Sequence, residues 1–262
     1  MGFGDEIMVT GQARVMQERD PRPVAVRGRD GGARWHGLWD GNPCLAHPRA
    51  VAAGLDVQWL DNYPGHRPYV DYGRSSERRW AYTDWRCTPG EIHFSAAERR
   101  WASPWRGRRF VVIEPHIKRQ ASSNKRWGLM RSQAVVDLVR GAGNGGPEFV
   151  QFAWSGGAAL EGIRQVATPS FRHACAVLAH AGAYVGPEGG LHHAAAALGV
   201  KAVVIFGGMT SPANTGYDGH VNLYVDGPGS PCGWRVRCAH CDRAMAAIEP
   251  KAVACHVKGL VT

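Results

Sequence analysis

Residues 186–193, Gly-Pro-Glu-Gly-Gly-Leu-His-His, crowd one acid, two imidazoles and three glycines into eight positions. Tyr184-Val185 closes a short apolar strand before them. Residues 191–198 read as an Ala-rich helix able to lie close against a sheet. Residues 201–206 form a β-branched, buried strand, and Gly207-Gly208 opens a second loop. A strand, a glycine turn and a helix start make an anion site. The first-turn N–H groups lack intrahelical partners, and the helix dipole turns its positive end towards whatever binds there. Glu188 could accept from those N–H groups or from a ribose hydroxyl, and His192 and His193 could reach a phosphate. An ordinary βαβ turn with an N-capping acid would need neither histidine.

Two further stretches carry chemistry. Gly2-Phe3-Gly4-Asp5-Glu6 sets two glycines and an acidic pair at a helix start, where Asp5 is either an N-cap or a base. Residues 114–127 follow a buried strand, 110–113, and hold Lys118, Ser122, Ser123, Asn124, Lys125 and Trp127. Hydroxyls, an amide and a lysine at a strand's carboxyl end suit a diphosphate. Trp154 ends the next strand, 148–154, and with the Ser155-Gly156-Gly157 loop is a candidate nucleobase or ribose contact.

The segment 186–217 resembles the donor-site signature of the family 9 glycosyltransferases, the heptosyltransferase-like group. That signature is a Gly-Pro-Asp-Ser/Thr-Gly-x-x-His-x-x-Ala-Ala turn and helix, then a strand and a Phe-Gly-x-Thr-x-Pro loop. Glu188, Gly190, His193 and Thr210 match it. Glu188 replaces the usual Asp, and Gly189 replaces a Ser or Thr hydroxyl. Gly4-Asp5-Glu6-Ile7-Met8-Val9-Thr10 is similar to the family's Gly-Asp-x-hydrophobic-x-Thr turn, without the strand that normally precedes it. Ser122, Ser123, Lys125 and Trp127 fall into register with the family's phosphate loop.

The resemblance implies an α/β fold of two Rossmann-like domains (GT-B type), the amino-terminal one shortened. Residues 1–108 would bind the acceptor and 109–262 the nucleotide sugar. It implies a metal-independent, inverting enzyme that moves a sugar from a nucleoside-diphosphate sugar to an acceptor hydroxyl. Asp5 would be the base, and Lys125 and His193 would stabilise the leaving diphosphate. Gly4, Ser122, Ser123, Trp154, Glu188, Gly189, Gly190, His192 and Thr210 would hold the donor. An LPS-type glycan is the acceptor that the family implies.

The elements that must position these groups are legible only in part. Short strands are expected at 23–27 and 57–60, and helices at 95–102, 129–139, 171–181 and 250–260. The helix at 95–102 should turn Glu98, Arg99 and Arg100 outward, and Cys175 and His173 should be structural. From 62 to 85 periodicity is poor and the stretch reads as irregular. Its Tyr69, Tyr72, Arg74, Arg78, Arg79, Trp80, Tyr82 and Trp85 would suit stacking on sugars or bases, or else pack an amphipathic domain edge.

A chain of 262 residues with 44% hydrophobic content can bury a sizeable core. Its formal charge of +9 implies an anionic partner: nucleotide diphosphate, glycolipid or nucleic acid. Many of these cations are Arg, so base composition of the gene accounts for part of the charge. No apolar run is long enough for a membrane span and no signal-peptide pattern is present, which points to a cytoplasmic protein. Seven scattered cysteines fit a reducing compartment. Cys232, Cys238 and Cys241, with Cys255 further on, could hold a structural zinc.

Two other functions stay open. The Arg- and Trp-rich first half would suit a glycosyltransferase acting on a hydroxymethylated base in viral DNA. A non-catalytic nucleotide- or nucleic-acid-binding module on a degenerate glycosyltransferase frame belongs to a different class.

Overall fold

The computed structural model describes residues 1–141, 146–153 and 156–261. The first half runs α1 (Phe3–Arg19), β1 (Val24–Arg27), β2 (Ala33–Arg34), α2 (Pro48–Ala52) and β3 (Gln58–Asp61). It continues through β4 (Val70–Asp71), β5 (Ala81–Tyr82) and α3 (Ala96–Ala102). The second half runs β6 (Phe110–Ile113), α4 (Leu129–Arg140), β7 (Glu148–Ala153), β8 (Arg164–Ala167), α5 (Phe171–Leu178) and β9 (Ala183–Pro187). It ends with α6 (Gly190–Ala197), β10 (Ala202–Gly207), α7 (Pro212–Thr215), β11 (Val221–Tyr224), α8 (Ala239–Ala247) and α9 (Pro250–Val261).

Six parallel strands form the main sheet in the order β11-β10-β9-β6-β7-β8. The chain winds outward from β6 through β7 to β8, then returns to β9 and winds the other way. This is the doubly wound, Rossmann-like arrangement. Its crevice opens where the winding reverses, between the loops that follow β6 and β9. Both loops are ones whose residue types suggest phosphate chemistry.

Alternation along each strand divides the core. Val111 and Ile113 of β6, with Val203 and Ile205 of β10, face α4 and α9. Phe110 and Val112, with Ala202, Val204 and Phe206, face α5 and α6. Each fully buried Val or Phe contributes about 1.5–3 kcal/mol relative to exposure. The strands are therefore apolar on both sides, as parallel strands between helical layers must be.

The first half holds a three-stranded sheet, β2-β1-β3, and a separate β4-β5 hairpin. Ile7, Val9 and Ala13 of α1, together with Trp39, join the same apolar cluster as Phe110, Val112 and Ala194. The two halves thus share a core across α1 and α6. Gly4 permits this approach, because a Cβ there would stand 2.4 Å from His193 Cδ2. The irregular stretch contains the hairpin, and most of its aromatics pack on themselves. Met8, Tyr69, Val70, Trp80, Tyr82 and Trp85 form a small cluster of their own.

One expectation fails instructively. Glu98 does not point outward. It is buried and holds Arg172 of α5 through two hydrogen bonds, at 2.6 and 2.8 Å. The same guanidinium donates to the backbone oxygens of Gly37, Leu38 and His93. A short amphipathic helix has one inward face, and Glu98 occupies it because a cation waits there.

Candidate functional site

A cleft of about 1090 Å³ opens at the reversal point of the sheet. Gly4 and Asp5 of α1, Ser122 and Lys125 of the post-β6 loop, and Glu188, Gly189, Gly190 and His193 at the start of α6 all line it. Groups from three distant stretches therefore meet in one place.

On the phosphate side, Lys125 Nζ is ion-paired with Glu188 Oε2, and Glu188 Oε1 lies 3.4 Å from His193 Nε2. Burial alone would push the Glu188 carboxyl up. The Lys125 ammonium and then the His193 ring more than compensate, holding it well below the ordinary carboxylate range. A carboxylate can only accept, so Nε2 of His193 carries a proton, and Nδ1 lies 2.7 Å from the Tyr217 hydroxyl. The first N–H groups of α6 open onto the same space. Gly189 has extended backbone and open space where a Cβ would stand, so a hydroxyl side chain would fit there without strain.

On the other side, Asp5 sits in the first turn of α1. Gly2, not Asp5, is the N-cap of α1; Asp5 is the third helical residue, and its Oδ2 accepts from the Gly2 N–H at 2.9 Å while the carboxylate still lines the cleft. Its Oδ1 accepts from the Tyr69 hydroxyl at 2.7 Å, and Arg67 Nε lies 3.3 Å from both oxygens. Arg67 in turn lies over the Trp80 ring, 5.2 Å from its centroid. The carboxylate is held in one orientation at the cleft wall. Arg67 and Tyr69 come from a stretch without periodicity, and sequence reasoning assigned neither to Asp5.

Several expected donor residues stand elsewhere. His192 is fully buried against Phe206, Tyr217 and His220 and does not line the cleft. Neighbouring helix positions point about 100° apart, so only one of the two histidines can face the ligand edge. Thr210 is also buried, with Oγ1 3.2 Å from the Tyr82 hydroxyl. Ser123 is exposed on the outer side of its turn. Trp127 is buried and donates to the Ile248 oxygen, so it anchors the turn from below. Trp154 lies outside the described residues. Cys255 is exposed on α9, whereas Cys232, Cys238 and Cys241 gather around His240.

Glu114, at the end of β6, is a cleft residue that sequence reasoning did not single out. Burial pushes its carboxyl from 4.5 up to about 7, opposed by the His116 N–H that Oε1 accepts at 2.8 Å. Between those two values the unfolded chain has released a proton that the folded chain keeps. Stability therefore falls as pH rises through that window. Glu114→Gln retains the acceptor and removes the penalty. It is expected to raise Tm at about pH 8.5, by the equivalent of up to about 3 kcal/mol, and to leave it unchanged at about pH 4. Thermal melts of both proteins across that range check this.

No protein-family model matches the sequence, and no curated protein matches it either. Solved structures do. The crystal structure of the glycosyl transferase family 9 from Veillonella parvula DSM 2008 superposes with a TM-score of 0.69, at 14% identity, over 100% of this chain and 95% of that one. The chain has the fold of that glycosyltransferase. TibC from enterotoxigenic E. coli H10407, described as an iron-containing dodecameric glycosyltransferase, superposes with a TM-score of 0.61 at 14% identity. That match covers 99% of this chain and 74% of TibC. TibC in complex with ADP-D-beta-D-heptose superposes with a TM-score of 0.51 at 12% identity, over 91% of this chain and 76% of that one. No helix among the described residues is long and apolar enough to cross a membrane.

Proposed function

We propose that the chain is an inverting glycosyltransferase that moves a sugar from a nucleoside-diphosphate sugar to a hydroxyl of an anionic acceptor. One observation carries this reading: an oriented carboxylate, Asp5, shares a cleft with Lys125 and the start of α6, two centres of positive potential suited to a departing diphosphate.

In this reading the diphosphate lies between the Ser122–Lys125 turn and the α6 N-terminus. Glu188 is placed to accept from the ribose hydroxyls, and it keeps Lys125 aimed into the cleft. The Phe152-Ala153 strand end, with Thr168 and Ser170, leaves room for the base. The acceptor hydroxyl attacks the anomeric carbon from the Asp5 side. A new C–O bond forms as the carbon–phosphate oxygen bond breaks, and the nucleoside diphosphate leaves with the electron pair. Asp5 takes the hydroxyl proton. Lys125 and the helix dipole stabilise the charge that develops on the leaving oxygen, which is the role a divalent cation would otherwise fill. A single displacement inverts the anomeric centre.

Arg67, Trp80, Lys118, Arg119 and Arg235 line the cleft as well, which favours an anionic acceptor. A phosphorylated glycan and a hydroxymethylated base in DNA share that chemistry.

The test is turnover of a nucleotide-sugar panel by the purified protein, with nucleoside diphosphate release followed in the presence of each acceptor. Proton NMR of the product then reads its anomeric configuration. Inversion is expected, and retention or acceptor-independent release would contradict the scheme. Lys125→Met should lower kcat/KM about 100-fold or more, and it should also lower Tm because the buried Glu188 carboxylate loses its ammonium partner; Lys125→Met combined with Glu188→Gln separates the two effects.

A further inference from the structure

The segment between β11 and α8 lies outside the cleft mechanism, yet it gathers three thiols and an imidazole. Cys232 Sγ is 3.1 Å from Cys241 Sγ and 3.9 Å from Cys238 Sγ, and His240 Nδ1 is 3.9 Å from Cys241 Sγ. All four potential ligand atoms lie within 4.8 Å of one another. A tetrahedral zinc with thiolates at about 2.3 Å has ligand–ligand edges of about 3.8 Å. The observed separations bracket that value. Cys232 and Cys241 are buried, and Met209 packs on them, so the centre has an apolar wall.

The surroundings are those of a ligand set rather than of thiols filling a core. His240 Nε2 lies 3.1 Å from Ser230 Oγ, which fixes the ring and leaves Nδ1 towards the sulfurs, as outer partners do for metal-bound histidines. Gly233, directly after Cys232, has φ +67°, and a Cβ there would stand 2.0 Å from the Trp80 oxygen. The chain turns tightly after its first thiol for that reason. Cys238 is the N-cap residue of α8, so Cys238, His240 and Cys241 are all placed by the first turn of one helix.

We propose that Cys232, Cys238, His240 and Cys241 bind one zinc ion, which fastens three walls of the cleft together. The knuckle is tied to each wall by backbone bonds. Cys232 and Gly233 N–H groups donate to Gly208 and Met209 oxygens, in the loop after β10. Asn124 Nδ2 donates to the Trp234 and Val236 oxygens, each at 2.7 Å, and Asn124 Oδ1 accepts from the Cys238 N–H. Arg79 Nε donates to the Cys232 oxygen, and the Trp80 N–H to the Gly233 oxygen. The ion thus holds the Ser122–Lys125 turn, the post-β10 loop and the hairpin of the first half in fixed relation. It takes no part in group transfer, and the centre stands whether or not the cleft transfers sugars.

Elemental analysis of protein purified without chelator tests this. About one zinc per chain is expected, lost in Cys232→Ser and in Cys241→Ser but kept in Cys255→Ser. His240→Ala should release its zinc to a competing chelator at least about tenfold more readily. Should the cysteine variants fail to fold, wild-type protein stripped under reducing conditions and reloaded with Co²⁺ serves instead. It should show thiolate-to-cobalt charge transfer at one equivalent. Stripping should also raise hydrogen exchange at 232–241 and at 122–125. Metal-free protein with reactive thiols, a Cys232–Cys241 disulfide in the native protein, or zinc that survives both serine variants would overturn the site. Stoichiometric iron in place of zinc would overturn the choice of ion.

Discussion

Asp5→Asn is expected to cut sugar transfer about 10²–10⁴-fold while leaving nucleoside diphosphate affinity within about twofold. The two effects separate because the groups lie on different elements. Asp5 belongs to α1, whereas the phosphate donors belong to α6 and the Ser122–Lys125 turn. Asparagine can still accept from the Gly2 N–H through its one oxygen while its amide N–H donates to the Tyr69 hydroxyl oxygen, so the helix start keeps that bond. It cannot take a proton. Arg67 retains the Trp80 ring and the Tyr72 hydroxyl as partners when the negative charge is lost. Paired measurement of turnover and of nucleotide binding checks this. A non-catalytic binding module would show no turnover to lose, and it would bind nucleotide equally well with either residue.

The second large effect concerns the frame. Arg172→Ala should destabilise the protein by about 3–5 kcal/mol, because it leaves Glu98 buried and uncompensated. It also orphans three backbone oxygens that hold the first half against α5. The hydrogen bonds from Arg172 hold the Glu98 carboxyl down at about 2, against an ordinary 4.5. A depressed folded value contributes stability that is present above 4.5 and lost as pH falls through about 2. The gap in Tm between wild type and variant should therefore be widest above about pH 5 and shrink in acid. Denaturant unfolding at several pH values reads both the size and the sign. Glu98→Gln together with Arg172→Met separates the charge penalty from lost packing.

The sequence was most legible where burial is complete. Strands β6, β9 and β10 are unbroken apolar runs, and the glycine turn before α6 announces itself. β9 continues two residues further than the apolar pattern, through Gly186 and Pro187, because both still face a buried neighbour. Edge strands were not legible. β8 is largely exposed and reads Arg-Gln-Val-Ala, with nothing to distinguish it from a loop. The α/β class was legible through the resemblance carried by residues 186–217, whereas the strand order and side-chain direction were not. His192 and His193 carry identical chemistry, and only the packing of α6 on β10 decides which one reaches the cleft.

Long-range partners were the least legible. Tyr69 meets Asp5 across 64 positions of chain, through a hairpin too short to announce itself. Glu98 was assigned to solvent because acids usually are, and its true partner is 74 residues away. For the thiols, the sequence already sets Cys232, Cys238 and Cys241 beside His240 within ten positions, whereas Cys255, which spacing also offered, is turned outward by α9.

A crystal structure with a non-hydrolysable nucleotide sugar tests the central claim most directly. The account predicts diphosphate density between Lys125 Nζ and the first N–H groups of α6, with the anomeric carbon facing the Asp5 carboxylate across a gap that admits one hydroxyl. A diphosphate bound elsewhere, or a sugar turned away from Asp5, would contradict it.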